Sequence, residues 1–155
     1  MEIVLVSKSA IETMKIAETI SHELKVGDVI SLDGDLGAGK TTFTQGLGKG
    51  LGVSEQINSP TFNILKCYFS GRMPLYHIDA YRLEDRVNSD IGLEEVIQGD
   101  GVAIIEWSKF IKDYVFEPLE INIEIVSDNV RKITLSTKED KYDNVFKKLE
   151  DFLNE

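Results

Sequence analysis

A short glycine-rich pattern in the first third of the chain limits its fold more than any other feature. Residues 34–41 read Gly-Asp-Leu-Gly-Ala-Gly-Lys-Thr and match the pattern G-x-x-x-x-G-K-[ST] of phosphate-binding loops. An apolar run over residues 29–32 precedes this stretch, and a helical pattern follows it to about Leu51. A strand, a glycine loop and a helix in this order indicate an α/β domain.

The residue types in this stretch suit the binding of a nucleoside triphosphate. Its glycines let successive backbone N–H groups turn toward phosphate oxygens, and the following helix directs its positive end to the same place. The lysine supplies a positive charge for the β- and γ-phosphates, and a threonine hydroxyl can bind a magnesium ion that bridges them. The predicted nucleotide contacts are Gly37, Ala38, Gly39, Lys40, Thr41 and Thr42, and Thr41 is also a predicted magnesium ligand.

The rest of the chain fits one domain over residues 1–155. Apolar runs predict further strands at residues 3–6, 75–78 and 102–105. Helical patterns predict helices at residues 10–24, 93–97 and 141–153. Alternating patterns over residues 119–126 and 131–136 predict an antiparallel hairpin. We therefore expect a single P-loop NTPase-like α/β domain with a mostly parallel central sheet, flanking helices and a C-terminal antiparallel hairpin.

Three glycines inside the helix that follows the loop are unusual. Gly46, Gly48 and Gly50 each weaken a helix by about 1 kcal/mol relative to alanine. The sequence therefore predicts that this helix packs closely against the sheet, and fraying of the helix end is the alternative.

Two carboxylates are candidates for work on the nucleotide. Asp79 and Glu106 each follow an apolar strand, so both can project from the sheet edge that carries the glycine loop, although carboxylates at strand ends also occur as solvated caps. Thr61, in the loop that contains Pro60, is a candidate switch residue whose oxygen atoms could approach the magnesium. His77 lies within an apolar strand, which predicts a core histidine.

Composition restricts the partners and the compartment. The chain carries 27 acidic and 17 basic residues, for a net charge of −10, and an acidic surface repels a nucleic-acid backbone. Cys67 is the only cysteine, so no disulfide can form within the chain, and no apolar stretch is long enough to span a membrane. These features predict a cytoplasmic protein that meets nucleic acid, if at all, through another protein.

Four segments together resemble one known family. Residues 34–42, the Ser-Pro-Thr-Phe of residues 59–62, the His-Ile-Asp-Ala-Tyr-Arg-Leu of residues 77–83 and the Glu-Trp of residues 106–107 are similar to the bacterial TsaE (YjeE) ATPases. The resemblance runs from about Thr13 to Leu135. It implies an ATPase that supports the formation of N6-threonylcarbamoyladenosine next to the anticodon of tRNAs that read codons beginning with A.

The resemblance also implies partners and cofactors. Family members dock on a TsaB-TsaD pair, which transfers the threonylcarbamoyl group, and their ATP hydrolysis is thought to reset that pair between turnovers. The expected cofactors are therefore ATP and Mg²⁺, and contact with tRNA is expected to be indirect.

The roles of individual residues follow from the resemblance by position. Lys40 and Thr42 would contact phosphates, Thr41 and Glu106 would hold magnesium, and Asp79 would support the metal or the attacking water.

Three further positions complete the implied site. Thr61 would be the switch threonine, Arg131 would lie near the nucleotide, and the start of the first helix around Ala10 would lie near the base. Many relatives have proline after the Glu-Trp pair, whereas this chain has Ser108.

Other functions remain open on the sequence alone. Residues 137–140, Thr-Lys-Glu-Asp, match the [NT]-K-x-D pattern that binds guanine in regulatory GTPases, although the same residues suit the start of the last helix. A small-molecule kinase is another alternative, but such enzymes close an arginine-rich lid, and the few arginines here are not clustered. A binding module without turnover is the remaining class.

Overall fold

A computed structural model describes residues 1–35, 37–58, 64–83, 93–97 and 99–153. Seven strands are present among them: β1 (Glu2–Ser7), β2 (Val29–Gly34), β3 (Leu65–Tyr68), β4 (Leu75–Asp79), β5 (Val102–Glu106), β6 (Leu119–Ile125) and β7 (Arg131–Ser136). The α-helices are α1 (Ala10–His22), α2 (Lys40–Leu51), α3 (Leu93–Val96) and α4 (Asp143–Leu153). Shorter 3₁₀ helices span Ala80–Leu83, Ser108–Tyr114 and Asp140–Tyr142.

The strands form one sheet in the order β1-β7-β6-β2-β5-β4-β3. The four inner strands, β6, β2, β5 and β4, are parallel to one another. β6 and β7 form the antiparallel hairpin, and β1 and β3 add antiparallel edge strands. The predicted α/β fold with a parallel centre and a C-terminal hairpin is therefore confirmed.

Apolar side chains project from both faces of the sheet and form two hydrophobic cores. On one face, strand residues such as Ile30 and Ile104 pack with helices α1, α2 and α4. On the other face, Ile78 and Ile105 pack with α3 and the 3₁₀ segment Ser108–Tyr114. Because β5 contributes alternate residues to both cores, it is buried on both sides, which is why it reads as a continuous apolar run.

Helix α1 begins where the sequence predicts and ends slightly earlier. The Ser9 hydroxyl accepts a hydrogen bond from the Glu12 N–H at 3.1 Å and so caps the helix. The helix closes at His22 rather than at the predicted Leu24, whose side chain still packs in the core. Among the described helices, none has both the length and the apolar character that crossing a bilayer requires.

Two of the three glycines of α2, Gly46 and Gly50, face helix α1, and Gly48 faces the side chain of Ile57, so the prediction that they face the sheet is wrong. A Cβ atom added at Gly46 would lie 2.6 Å from the Met14 carbonyl oxygen and 2.9 Å from the Ala17 Cβ, both in α1. One added at Gly50 would lie 2.9 Å from the carbonyl oxygen of Glu18, also in α1. The two glycines, one turn apart, therefore let the α1 and α2 backbones approach closely.

Candidate nucleotide-binding site

The topology brings the predicted site residues to one edge of the sheet. Because β2, β4 and β5 are parallel, their carboxyl ends, at Gly34, Asp79 and Glu106, lie at the same edge. The antiparallel strand β7 begins at that edge with Arg131. β1 runs parallel to β6 and ends there too, which places the start of α1, at Ala10, beside the glycine loop.

The phosphate loop (residues 34–42) connects β2 to α2 through backbone shapes that only glycine adopts easily. Gly37 has a φ of 82° and Gly39 a φ of 108°, both in the left-handed region. A Cβ atom at Gly34 would lie 2.8 Å from the Ile123 carbonyl oxygen of β6. Gly39 is the N-cap of α2 and offers no side-chain acceptor, so the first N–H groups of α2 point out of the helix toward the loop. This arrangement fits an anion.

One cavity joins the loop to the two acidic strand ends. This loop cavity has a volume of about 360 Å³ and is lined by Gly37, Gly39, Lys40, Thr41, Thr42, Asp79, Glu106 and Trp107. The structure thus brings together most of the sequence-predicted phosphate, metal and catalytic residues. Thr61 lies outside the described residues.

Lys40 and Glu106 form an ion pair at the centre of the loop cavity. The Lys40 Nζ lies 3.5 Å from Glu106 Oε1, and the two side chains are only 13% and 9% exposed. On the other side of the carboxylate, the Nε2 atom of His77 lies 2.6 Å from Glu106 Oε2. The carboxylate therefore has a separate partner for each oxygen.

These partners decide the charge of Glu106. Burial acts to raise the pKa of Glu106, but the hydrogen bond with His77 and the nearby Lys40 ammonium outweigh it, so the pKa is lowered. Glu106 is therefore an anion at neutral pH, as a magnesium ligand must be.

Asp79 stands directly beside Glu106 in the sheet. The two residues are register partners of parallel strands, so their side chains leave the same face. Asp79 Oδ1 accepts a hydrogen bond from the backbone N–H of Tyr81 at 3.1 Å, which fixes one oxygen and leaves the carboxylate at the cavity wall. Asp79 thus adds a second oxygen donor to the cavity.

Trp107 adopts a backbone conformation that is rare for a bulky residue. Its φ of 58° is in the left-handed region, so the chain turns sharply just after Glu106. The turn places the indole against two cations, with Lys40 Nζ and Lys109 Nζ each 5.1 Å from the ring centroid. The Tyr81 ring lies 5.2 Å away. Ser108, which follows, opens a 3₁₀ helix and hydrogen-bonds with Ser31 of β2 at 2.5 Å.

Ala10 and Arg131 line a smaller cavity on the other side of the phosphate loop. It has a volume of about 180 Å³ and shares Gly37, Gly39 and Thr42 with the loop cavity. The Arg131 Nε donates to the Ala38 carbonyl oxygen at 3.0 Å, and its Nη2 donates to the Gly37 carbonyl oxygen at 3.4 Å. Arg131 therefore holds the loop itself, in addition to bordering the predicted nucleotide position.

His77 is the site residue whose contact sequence reasoning missed. It is wholly buried, as predicted for a core histidine, but its ring meets the Glu106 carboxylate instead of only apolar neighbours. The sequence places His77 and Asp79 on one face of a strand because they are two residues apart, but only the pairing of β4 with β5 brings His77 to Glu106.

The donor set around the loop cavity fits a magnesium ion. Thr41, Asp79 and Glu106 offer a hydroxyl and carboxylate oxygens, which are hard ligands, and a triphosphate would supply more. In the part of the chain that the structure describes, no group of three or more His, Cys, Asp or Glu side chains could hold a metal ion by itself. Mg²⁺ at this place would therefore depend on phosphate oxygens and water for its remaining ligands.

Comparisons with known proteins identify the family of the chain. The family described as "Threonylcarbamoyl adenosine biosynthesis protein TsaE" matches residues 7–134. The TsaE protein of Bacillus subtilis is 45% identical over 139 residues, which are 89% of this chain and 87% of that protein. The TsaE protein of Treponema pallidum is 41% identical over 133 residues, which are 84% of this chain and 98% of that protein.

A solved structure extends the agreement to three dimensions. The crystal structure of Bacillus subtilis YdiB superposes with a TM-score of 0.83 at 36% identity and covers 97% of this chain and 95% of that one. The family match and the close relatives cover most of the chain. The chain therefore belongs to the TsaE family of threonylcarbamoyladenosine biosynthesis proteins.

Proposed function

We propose that this protein binds ATP with Mg²⁺ at the phosphate loop and hydrolyses it to support the formation of N6-threonylcarbamoyladenosine in tRNA. The loop cavity carries the proposal, because it combines a phosphate-binding loop with two carboxylates at one sheet edge. Family membership supplies the pathway. A cytoplasmic location is part of the proposal, because the family takes part in the modification of tRNA.

The residues have distinct roles in this proposal. The backbone N–H groups of Gly37, Ala38 and Gly39 and the Lys40 ammonium bind the phosphates, helped by Thr42. The Thr41 hydroxyl and the Glu106 carboxylate hold Mg²⁺, which would neutralise charge on the phosphates. Asp79 supports the metal or orients the attacking water, and Thr61 remains the predicted switch residue. Lys40 must leave Glu106 when it turns to a phosphate.

The position of residues 137–140 favours ATP over GTP. These residues follow the far end of β7, whereas Arg131 at its beginning contacts the phosphate loop. A strand rises about 3.3 Å per residue, so the guanine-type pattern begins roughly 20 Å from Arg131. The Thr137 hydroxyl instead donates to the Pro118 carbonyl oxygen and accepts from the Glu139 N–H, in keeping with a local turn before the last helix.

A TsaB-TsaD-like pair is the proposed partner, with tRNA reached only through it. The overall charge of −10 argues against direct holding of tRNA by this chain. Arg131 is engaged with loop carbonyl oxygens, so it is not poised as an arginine finger in the described arrangement. We therefore expect the partner pair to change the rate of ATP hydrolysis.

Hydrolysis and reconstituted tRNA modification test this proposal together. We expect release of phosphate from ATP in preference to GTP, without a phosphorylated acceptor. We also expect that Lys40→Ala removes both nucleotide binding and multiple-turnover modification by the TsaB-TsaD pair, because the phosphates lose their cation. Lys49→Ala, which removes an exposed lysine from the same helix, is the matched control. Full modification with Lys40→Ala would contradict the proposal. A preference for GTP over ATP would show that ATP is not the preferred substrate.

Arg131 gives an independent prediction about the phosphate loop. Arg131→Gln should weaken ATP binding by about tenfold, because hydrogen bonds from a charged donor to the loop carbonyls contribute on the order of 1.5 kcal/mol. Lys132→Gln is the control, since Lys132 is half exposed and forms an ion pair with Glu124 across the hairpin. Titration with a fluorescent ATP analogue measures both. Equal affinities for the two variants would show that Arg131 does not shape the loop.

A further inference from the structure

His77 is a buried polar residue in a place where an apolar side chain would pack more easily. It lies in the middle of β4, inside the sheet, and none of its surface is exposed. Among the described residues, its Nδ1 atom has no hydrogen-bond partner, and Nε2 contacts only the Glu106 carboxylate. Burying an imidazole with a single polar contact costs free energy, so we expect the contact between His77 and Glu106 to have a role in the site.

The direction of this hydrogen bond follows from the charge of Glu106. An ionised carboxylate only accepts hydrogen bonds, so the hydrogen must be on Nε2 of His77 and must point at Glu106 Oε2. Oε1 then faces Lys40 and the loop cavity. The rigid strand holds the donor, so the carboxylate cannot rotate freely.

The two partners of Glu106 differ in what a nucleotide would do to them. The Lys40 side chain is flexible and its ammonium would be drawn to the phosphates, so this ion pair is lost on binding. His77 is enclosed by the sheet and has no route to the nucleotide. Once Lys40 leaves, His77 is the partner that remains among those described.

We propose that His77 is a positioning residue that keeps the Glu106 carboxylate oriented, with Oε1 toward the metal position, while Lys40 moves from Glu106 to the nucleotide. The inference rests on the proposed function, since it concerns the same carboxylate. His77 acts through Glu106 and does not itself touch the nucleotide.

Nuclear magnetic resonance of ¹⁵N-histidine-labelled protein tests this directly, because the chain has only two histidines and His22 is exposed. We expect one slowly exchanging Nε2–H signal that is absent from His77→Gln. The signal should persist in Lys40→Ala and in the parent protein saturated with Mg²⁺ and ADP. Its absence from the free protein, or its loss when Mg²⁺ and ADP bind, would overturn the inference.

Two substitutions separate positioning from mere packing. His77→Leu removes the donor, whereas His77→Gln places an amide N–H at about the same distance from the backbone. In EDTA, the affinity of His77→Leu for a fluorescent ADP analogue should lie within about twofold of that of the parent protein. The increase in affinity that Mg²⁺ produces should be about tenfold smaller in His77→Leu than in the parent. His77→Gln should retain most of that increase. The inference would be overturned if Mg²⁺ raised the affinity of His77→Leu as much as that of the parent, or if His77→Leu lost as much affinity in EDTA as it does with Mg²⁺.

The same experiments distinguish the two proposals. If the parent protein binds no nucleotide with or without Mg²⁺, the proposed function fails whatever the histidine signal does. If the parent binds nucleotide but the signal disappears on binding, only the role of His77 fails. If His77→Leu does not fold, the Nε2–H signal in the parent protein and in Lys40→Ala still tests the role of His77.

Discussion

Exchange of Glu106 for glutamine is expected to lower the rate of ATP hydrolysis by about 100-fold or more, because the anion that holds the metal is lost. The amide has nearly the shape of the carboxylate, and its oxygen can still accept the hydrogen bond from His77. The fold should therefore survive. Nucleotide binding without Mg²⁺ should also survive, since Lys40 is freed from its ion pair and remains available to the phosphates.

Phosphate release at saturating ATP and Mg²⁺ measures this effect, and thermal unfolding followed by circular dichroism reports on the fold. Glu124→Gln is the matched control, because it makes the same chemical change at an exposed carboxylate whose pair with Lys132 is worth little. A Glu106→Gln protein that hydrolyses ATP as fast as Glu124→Gln would exclude Glu106 as a metal ligand.

Replacement of Gly46 by leucine is expected to lower the free energy of unfolding by about 3 kcal/mol. A Cβ atom added at Gly46 would lie 2.6 Å from a backbone oxygen of α1, so the two helices have to separate to accept a side chain. The gain in helix propensity, about 1 kcal/mol, is too small to compensate. The separation would also disturb the start of α2, which carries Lys40.

Urea unfolding measures the loss, and the matched control introduces the same residue on the solvent side of the same helix. Lys49→Leu should change the free energy of unfolding by about 0.5 kcal/mol or less, since Lys49 is exposed. If both variants unfolded at the same urea concentration, close contact between α1 and α2 would not be what these glycines provide.

Local chemistry made the phosphate loop and the strands predictable from sequence. Glycine permits the positive φ angles that Gly37 and Gly39 adopt, and the apolar run of β5 identifies a strand buried on both faces. The carboxyl ends of parallel strands must meet at one edge, so the sequence is enough to predict that Asp79 and Glu106 lie near the loop.

Contacts that depend on long-range register were not predictable in the same way. His77 meets Glu106 only because β4 and β5 pair with Asp79 opposite Glu106, and nothing within either segment specifies that pairing. The glycines of α2 signalled a close approach, but the partner could be the sheet or a helix, and only the packing of α1 decides. The role of Arg131 in holding loop carbonyls likewise required the position of the hairpin.

The contact of Trp107 with two ammonium groups has a practical consequence. It is the only tryptophan in the chain, so the intrinsic fluorescence of the indole comes from one position, against the lysine that would bind the phosphates. Withdrawal of that ammonium changes the electric field at the ring and therefore shifts the wavelength of the tryptophan fluorescence emission. Occupancy of the cavity can therefore be followed in unlabelled protein, with a chromophore that the chain supplies itself.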